Sequence, residues 1–188
     1  MDQTSFSTTR LDHLGLVAGT CRQFRLAERI DRLLPAPDRL VSHGEAAVAM
    51  VLNALGFVSR PLYLTPEFFR NKPIDLLIRP GLTADQLNDD ALGRTLDAFY
   101  DYGVTELFAT LAQGVLNELD LTDSPAHLDT TSFSFHGRYQ QDQPEPDNDD
   151  KHPISITFGY SKDKRSDLRQ AVLSLICEHR AGLPMWLE

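Results

Sequence analysis

At 188 residues the chain is long enough for one or two domains and for a real hydrophobic core. Its 41 % hydrophobic and 24 % charged residues are an ordinary globular balance. No apolar run approaches the ~20 residues of a membrane span, the polar stretch Met1 to Thr9 lacks the pattern of a secretory signal, and a cytoplasmic location is expected. A net charge of −9 runs against broad coating of nucleic acid, because affinity for phosphate backbones comes mostly from Lys and Arg.

Leu14 to Gln23 and Leu26 to Leu34 are apolar-periodic segments that predict a helical pair, ended by Pro35 and Pro37. Arg10, Arg22, Arg25, Arg29, Arg32 and Arg39 outnumber the acids of this region, so they are candidate phosphate contacts or a solvated face. Ser42-His43-Gly44-Glu45 has the spacing of a capping box ahead of Ala46 to Leu55, a run apolar on nearly all sides. That run predicts a central core helix stopped by Gly56.

From Pro61 to Pro80 short apolar pieces alternate with Pro, which predicts irregular structure with single helical turns. Thr83 to Leu87 follows, then Asn88 or Asp89 as the cap of a helix carrying Leu92, Leu96, Phe99 and Tyr100. The two segments are either a helix-turn-helix unit for DNA or ordinary helix packing, and Arg94 is the only basic residue of the second. Val104 to Leu119 predicts a last amphipathic helix. Composition then shifts to β-branched residues and turns, which divides the chain into a helical domain, 1–121, and a strand-rich one, 122–188. The fold class expected is therefore α+β.

The second region opens with His127-Leu128-Asp129-Thr130-Thr131-Ser132-Phe133, a strand between Pro125 and Gly137. Alternation puts His127, Asp129 and Thr131 on one face and Leu128, Thr130 and Ser132 on the other. A buried or half-buried Asp in mid-strand needs a metal ion, a cation or backbone amides beside it. Residues 140–151, with Asp142, Glu145, Asp147, Asp149 and Asp150 among Pro, Gln and Asn, read as a flexible acidic loop. Strands at Ile154 to Tyr160 and Ala171 to Cys177 flank a basic turn with Lys162, Lys164, Arg165 and Arg169, which are candidate DNA contacts. A further extended piece begins at Leu183. Cys21 and Cys177 are isolated and read as reduced thiols, and the histidines have no zinc-finger or His-Glu-x-x-His spacing.

The His-Leu-Asp-Thr-Thr-Ser-Phe strand, then Gly159-Tyr160-Ser161-Lys162-Asp163-Lys164-Arg165-Ser166-Asp167-Leu168-Arg169-Gln170, then Gly182-Leu183-Pro184, resembles bacterial insertion-sequence transposases of the DDE type. The closer likeness is to the family-four, cut-and-paste group. The preceding helical region resembles an amino-terminal domain of unknown function found in one branch of it. The resemblance implies a ribonuclease-H-like fold in which Asp129 is the first of three catalytic carboxylates. Together these hold two Mg²⁺ or Mn²⁺ ions for in-line displacement at a phosphodiester. It implies DNA, as transposon ends, for a partner.

The chain departs from that family at its end. The second Asp, the Glu and the signature around it are absent, and Glu178 and Glu188 stand where the family has no catalytic residue. The sequence therefore predicts the first antiparallel strands of an incomplete catalytic domain, in a truncated or split transposase. Such a chain is inactive alone, holds no ion stably, and either binds DNA ends or pairs with itself or a full-length copy. The alternative is a helical protein-interaction or regulatory module with no DNA role.

Overall fold

The apolar spacing of residues 14–34 becomes helices α1 (Leu14–Gln23) and α2 (Leu26–Leu33), with Arg25 between them in the left-handed region at φ 51°. These elements come from a computed structural model that describes Thr8 and residues 11–56, 61–137, 156–160 and 164–188. The expected acidic loop 140–151, Arg10 and Lys162 lie outside the described residues.

Helix α3 (His43–Ala54) starts where the capping box puts it. The Glu45 amide donates to Ser42 Oγ at 3.1 Å, and the Ser42 amide donates to Glu45 Oε2 at 3.1 Å. A third amide of the first turn, that of Gly44, donates to Asp31 Oδ1 on α2 at 2.7 Å. The helix packs against α1, α2, α4 (Thr65–Phe69) and α6 (Asp89–Tyr102), so it is central, as its composition predicts. Its last turn departs from that expectation. Ala46 to Ala49 are buried on nearly all sides, whereas Ala54 and Leu55 at the end of the helix are exposed.

The Pro-broken stretch forms a 3₁₀ turn at Leu62–Leu64, α4, and α5 (Ile74–Leu77). Phe68 and Phe69 enter the core edge to face, ring centroids 4.8 Å apart, beside Leu14, Leu52, Leu77, Leu87 and Leu92. Thr83 and Gln86 cap each other around a single 3₁₀ turn, Ala84–Gln86. Asn88 then starts α6 by accepting the Ala91 amide at 2.9 Å. One 3₁₀ turn is too short to be the first helix of a helix-turn-helix unit, so this segment is ordinary helix packing. Helix α7 is Val104–Glu118. No helix among the described residues is long and apolar enough to cross a membrane.

Inside this helical unit Arg39 donates through Nη1 to His43 Nδ1 at 2.8 Å and through Nη2 to the Ala91 carbonyl at 2.6 Å. Thr95 Oγ1 accepts from the same Nη2 at 3.2 Å. A guanidinium only donates, and Nη1 lies nearer Nδ1 than Nε2, which is 3.3 Å away, while Thr95 Oγ1 is 3.1 Å from Nδ1. Burial, and after it the Arg39 charge, pushes the His43 pKa down from 6.5, with Asp31 opposing. The unfolded chain thus takes up a proton near 6.5 while the native imidazole resists it. Stability should be full above that pH and decline as pH falls below it. Denaturant melts between pH 7.5 and 5.5, repeated on His43→Gln, check this: the variant should have the flatter profile. Equal slopes would show that His43 is not the group responsible.

The chain divides into compact units at Met1–Leu107 and Phe108–Glu188. In the second, β1 (Ala126–Phe135) pairs antiparallel along its whole length with β3 (Arg169–Glu178). The other edge of β3 carries β2 (Thr157–Phe158) at one end and β4 (Pro184–Leu187) at the other. Seven helices followed by a four-stranded antiparallel sheet, among the described residues, make the fold α+β as expected. One detail differs from the sequence reading: β2 is two residues long among the described residues, where a strand from Ile154 to Tyr160 is expected, and 154 and 155 lie outside them. The neighbour of β1 is β3.

Candidate functional site

Asp129 lies where its sequence context puts it, in the first half of β1, opposite Leu175 of β3. His127, Asp129 and Thr131 share a face with their partners Cys177, Leu175 and Leu173. Asp129 is not the buried or half-buried strand carboxylate that would need a partner, because residues 126–131 are exposed. Its Oδ1 accepts the amide of the next residue, Thr130, at 2.7 Å.

A carboxylate on an exposed strand is a natural first ligand for a hard cation. Among the described residues, however, no group of three or more His, Cys, Asp and Glu is arranged to hold a metal ion. Asp129 offers two oxygens, one already hydrogen-bonded, whereas Mg²⁺ takes six in near-octahedral geometry. The described side chains do not make up a two-ion site, and no reaction step is assigned to them.

The basic turn is less available to phosphate than its composition promises. Arg165 is locked onto Asp167, Nε to Oδ1 and Nη2 to Oδ2, both at 2.8 Å. That fork holds the Asp167 carboxyl down to about 2. Arg169 donates to the Ile156 carbonyl at 3.0 Å and lies over the Phe158 ring, 5.3 Å from its centroid, stitching β3 to β2. Lys164 is exposed, at φ 55°, and is the better placed of the described candidates to meet a phosphate.

Two residues that the sequence reading passed over hold this region together. Gln170 is buried, and its Nε2 donates to the carbonyls of Gly159 and Arg165, both at 2.9 Å. Glu178, 1 % exposed, ends β3 and accepts the amides of Arg180 at 2.5 Å and Ala181 at 2.7 Å. Burial alone would raise its pKa, but the neighbouring Ser124 hydroxyl and those two amides outweigh it and hold the carboxyl below 4.5. The legible signal was an acid directly ahead of a Gly-closed turn, where Gly182 has φ 65°. The next residue, His179, donates its amide to the Pro125 carbonyl at 2.9 Å. Its ring Nδ1 comes 2.6 Å from Nε2 of His127.

Residues 6–113 match the model of a family described as a domain of unknown function, DUF4277. The match covers α1 to α6 and much of α7 and stops short of β1, so Asp129 and the sheet lie beyond it. No curated protein and no solved structure matches the chain. With more than half of its residues matched by that one model, the chain belongs to the DUF4277 family.

Proposed function

We propose that the chain is the amino-terminal part of a cut-and-paste DNA transposase of the DDE type, in which Asp129 is the first metal-binding carboxylate. The observation that carries this reading is the contrast between two acids of one sheet. Glu178 is buried and spent on turn amides, as a structural carboxylate is, whereas Asp129 is exposed in a ten-residue strand opposite Leu175. Exposed Leu128, Phe133 and Val172 also leave apolar side chains on both faces of the sheet, which suits the opening strands of a larger ribonuclease-H-like layer. Under this reading Mg²⁺ or Mn²⁺ and DNA are the ligands of the complete site. One carboxylate holds such an ion too weakly for strand cleavage. A nuclease and strand-transfer assay on wild type and Asp129→Asn should show no cleavage by either, with melting unchanged to within about 0.5 kcal/mol as for other exposed substitutions. Metal-dependent cleavage by wild type that disappeared in the variant would overturn the inactive-fragment reading. The family assignment is tested by whether the protein that carries this chain also supplies a second Asp and a Glu at the family's spacing.

The second reading, a helical interaction or regulatory module without a DNA role, draws on the arginines. Arg22 donates to the Leu76 carbonyl, Arg29 to that of Phe24 at 2.8 Å, Arg39 to that of Ala91 at 2.6 Å and Arg79 to that of Leu40 at 2.7 Å. Three of these were candidate phosphate contacts, and in the fold they are internal clamps. DNA binding by the whole chain should therefore be weak and fall by an order of magnitude or more as salt rises from ~50 to ~200 mM. Tight binding that survived that range would mean base-specific recognition.

A further inference from the structure

We infer that His127 and His179 form a two-imidazole clip for a borderline transition-metal ion such as Zn²⁺, separate from any hard-ion role of Asp129. The two residues come from β1 and from the turn after β3, 52 positions apart, yet Nε2 of one lies 2.6 Å from Nδ1 of the other, with ring centroids 4.8 Å apart and planes tilted by 57°. Two nitrogens, each ~2.0–2.1 Å from a tetrahedral Zn²⁺, lie about 3.4 Å apart. The rings need to open by less than an ångström, and both residues are exposed, so side-chain rotation supplies it.

The backbones that carry them are fixed. His127 sits in the β1–β3 ladder, opposite Cys177. His179 is tied by its amide to Pro125, two residues before His127, and the buried Glu178 carboxylate holds the two amides that follow. The pair is thus held within an ångström of chelating distance, and preorganisation is what distinguishes a clip from two surface histidines. Imidazole nitrogens favour Zn²⁺, Cu²⁺ and Ni²⁺ over Mg²⁺, so the clip should ignore the hard ions that the carboxylate of Asp129 suits. Water fills the remaining positions, which makes the site open and exchangeable rather than a closed structural one.

The test is calorimetric titration of the whole chain with Zn²⁺ and, separately, Mg²⁺, with thermal melts in each. One Zn²⁺ per chain and a raised melting temperature are expected, with no response to Mg²⁺ at the same concentration. His127→Ala and His179→Ala should each weaken Zn²⁺ binding about tenfold or more, since each leaves a single imidazole. His136→Ala, Asp129→Asn and Cys177→Ser should keep it. No Zn²⁺ binding by wild type, or binding that survived both histidine variants, would overturn the inference. Loss in Cys177→Ser would replace it with a thiolate site, and loss in Asp129→Asn would merge it with the carboxylate. Because the readout is binding rather than cleavage, failure here leaves the transposase reading untouched, and success does not depend on it.

Discussion

Gly44→Ala should destabilise the helical unit by about 3 kcal/mol or more, at the upper end of what overpacking causes. At ~2–4 °C per kcal/mol for a chain of this size, that lowers the melting temperature by about 10 °C. A Cβ at Gly44 would lie 2.6 Å from both the carbonyl carbon and Cα of Ala27 and closer still to its oxygen. Those are backbone atoms of α2 rather than the end of a flexible side chain, so α2 and α3 would have to move apart. Separation would also pull the Gly44 amide from Asp31 and disturb the capping box next to it. Gly93→Ala in α6 is the matched control, because its Cβ would meet nothing within 4 Å. There the loss of backbone freedom in the unfolded chain should stabilise by roughly 0.5–1 kcal/mol. Equal melting temperatures for the two variants would mean that α2 and α3 are not in close contact.

That close approach shows where sequence reading stops. The helix pair, the capping box, the Asn88 cap and the β1 strand are all written in local chemistry: apolar spacing, a Ser three residues before a Glu, an alternating run between Pro and Gly. Each was legible for that reason. Gly44 inside the capping box looked like a spare position, because what it meets comes from a helix seventeen residues earlier and only packing brings them together. Asp129 was placed on a strand, but its exposure was not legible, since local alternation says which face a side chain takes but not whether anything covers that face. The engagement of the basic turn was hidden for a related reason. Composition counts charges, whereas Arg165 and Arg169 are committed to Asp167, the Ile156 carbonyl and the Phe158 ring, all close in sequence but joined through a turn whose geometry no count reveals.

Arg39 carries the same lesson into a measurable quantity. In sequence it belongs to a row of arginines suited to DNA; in the fold its fork reaches His43, the Ala91 carbonyl and Thr95, joining the start of α3 to α6. Arg39→Ala removes the donor to a buried imidazole nitrogen and to a helix carbonyl together. Thr95 Oγ1 stays 3.1 Å from His43 Nδ1 and donates to the Ala91 carbonyl at 3.1 Å, so neither acceptor is stranded outright and a loss of about 1–3 kcal/mol is expected, the scale of one under-satisfied buried polar group. Lysine should not rescue, because a single ammonium cannot span three acceptors that a planar guanidinium reaches at once. Thermal melts of wild type, Arg39→Ala and Arg39→Lys give the stability, and a filter-binding titration with duplex DNA at low salt gives the affinity. The expected pattern is two destabilised variants whose DNA affinity, measured well below their melting points, matches wild type. Unchanged melting with weakened DNA binding would restore Arg39 to the phosphate-contacting role that its position in the sequence suggests.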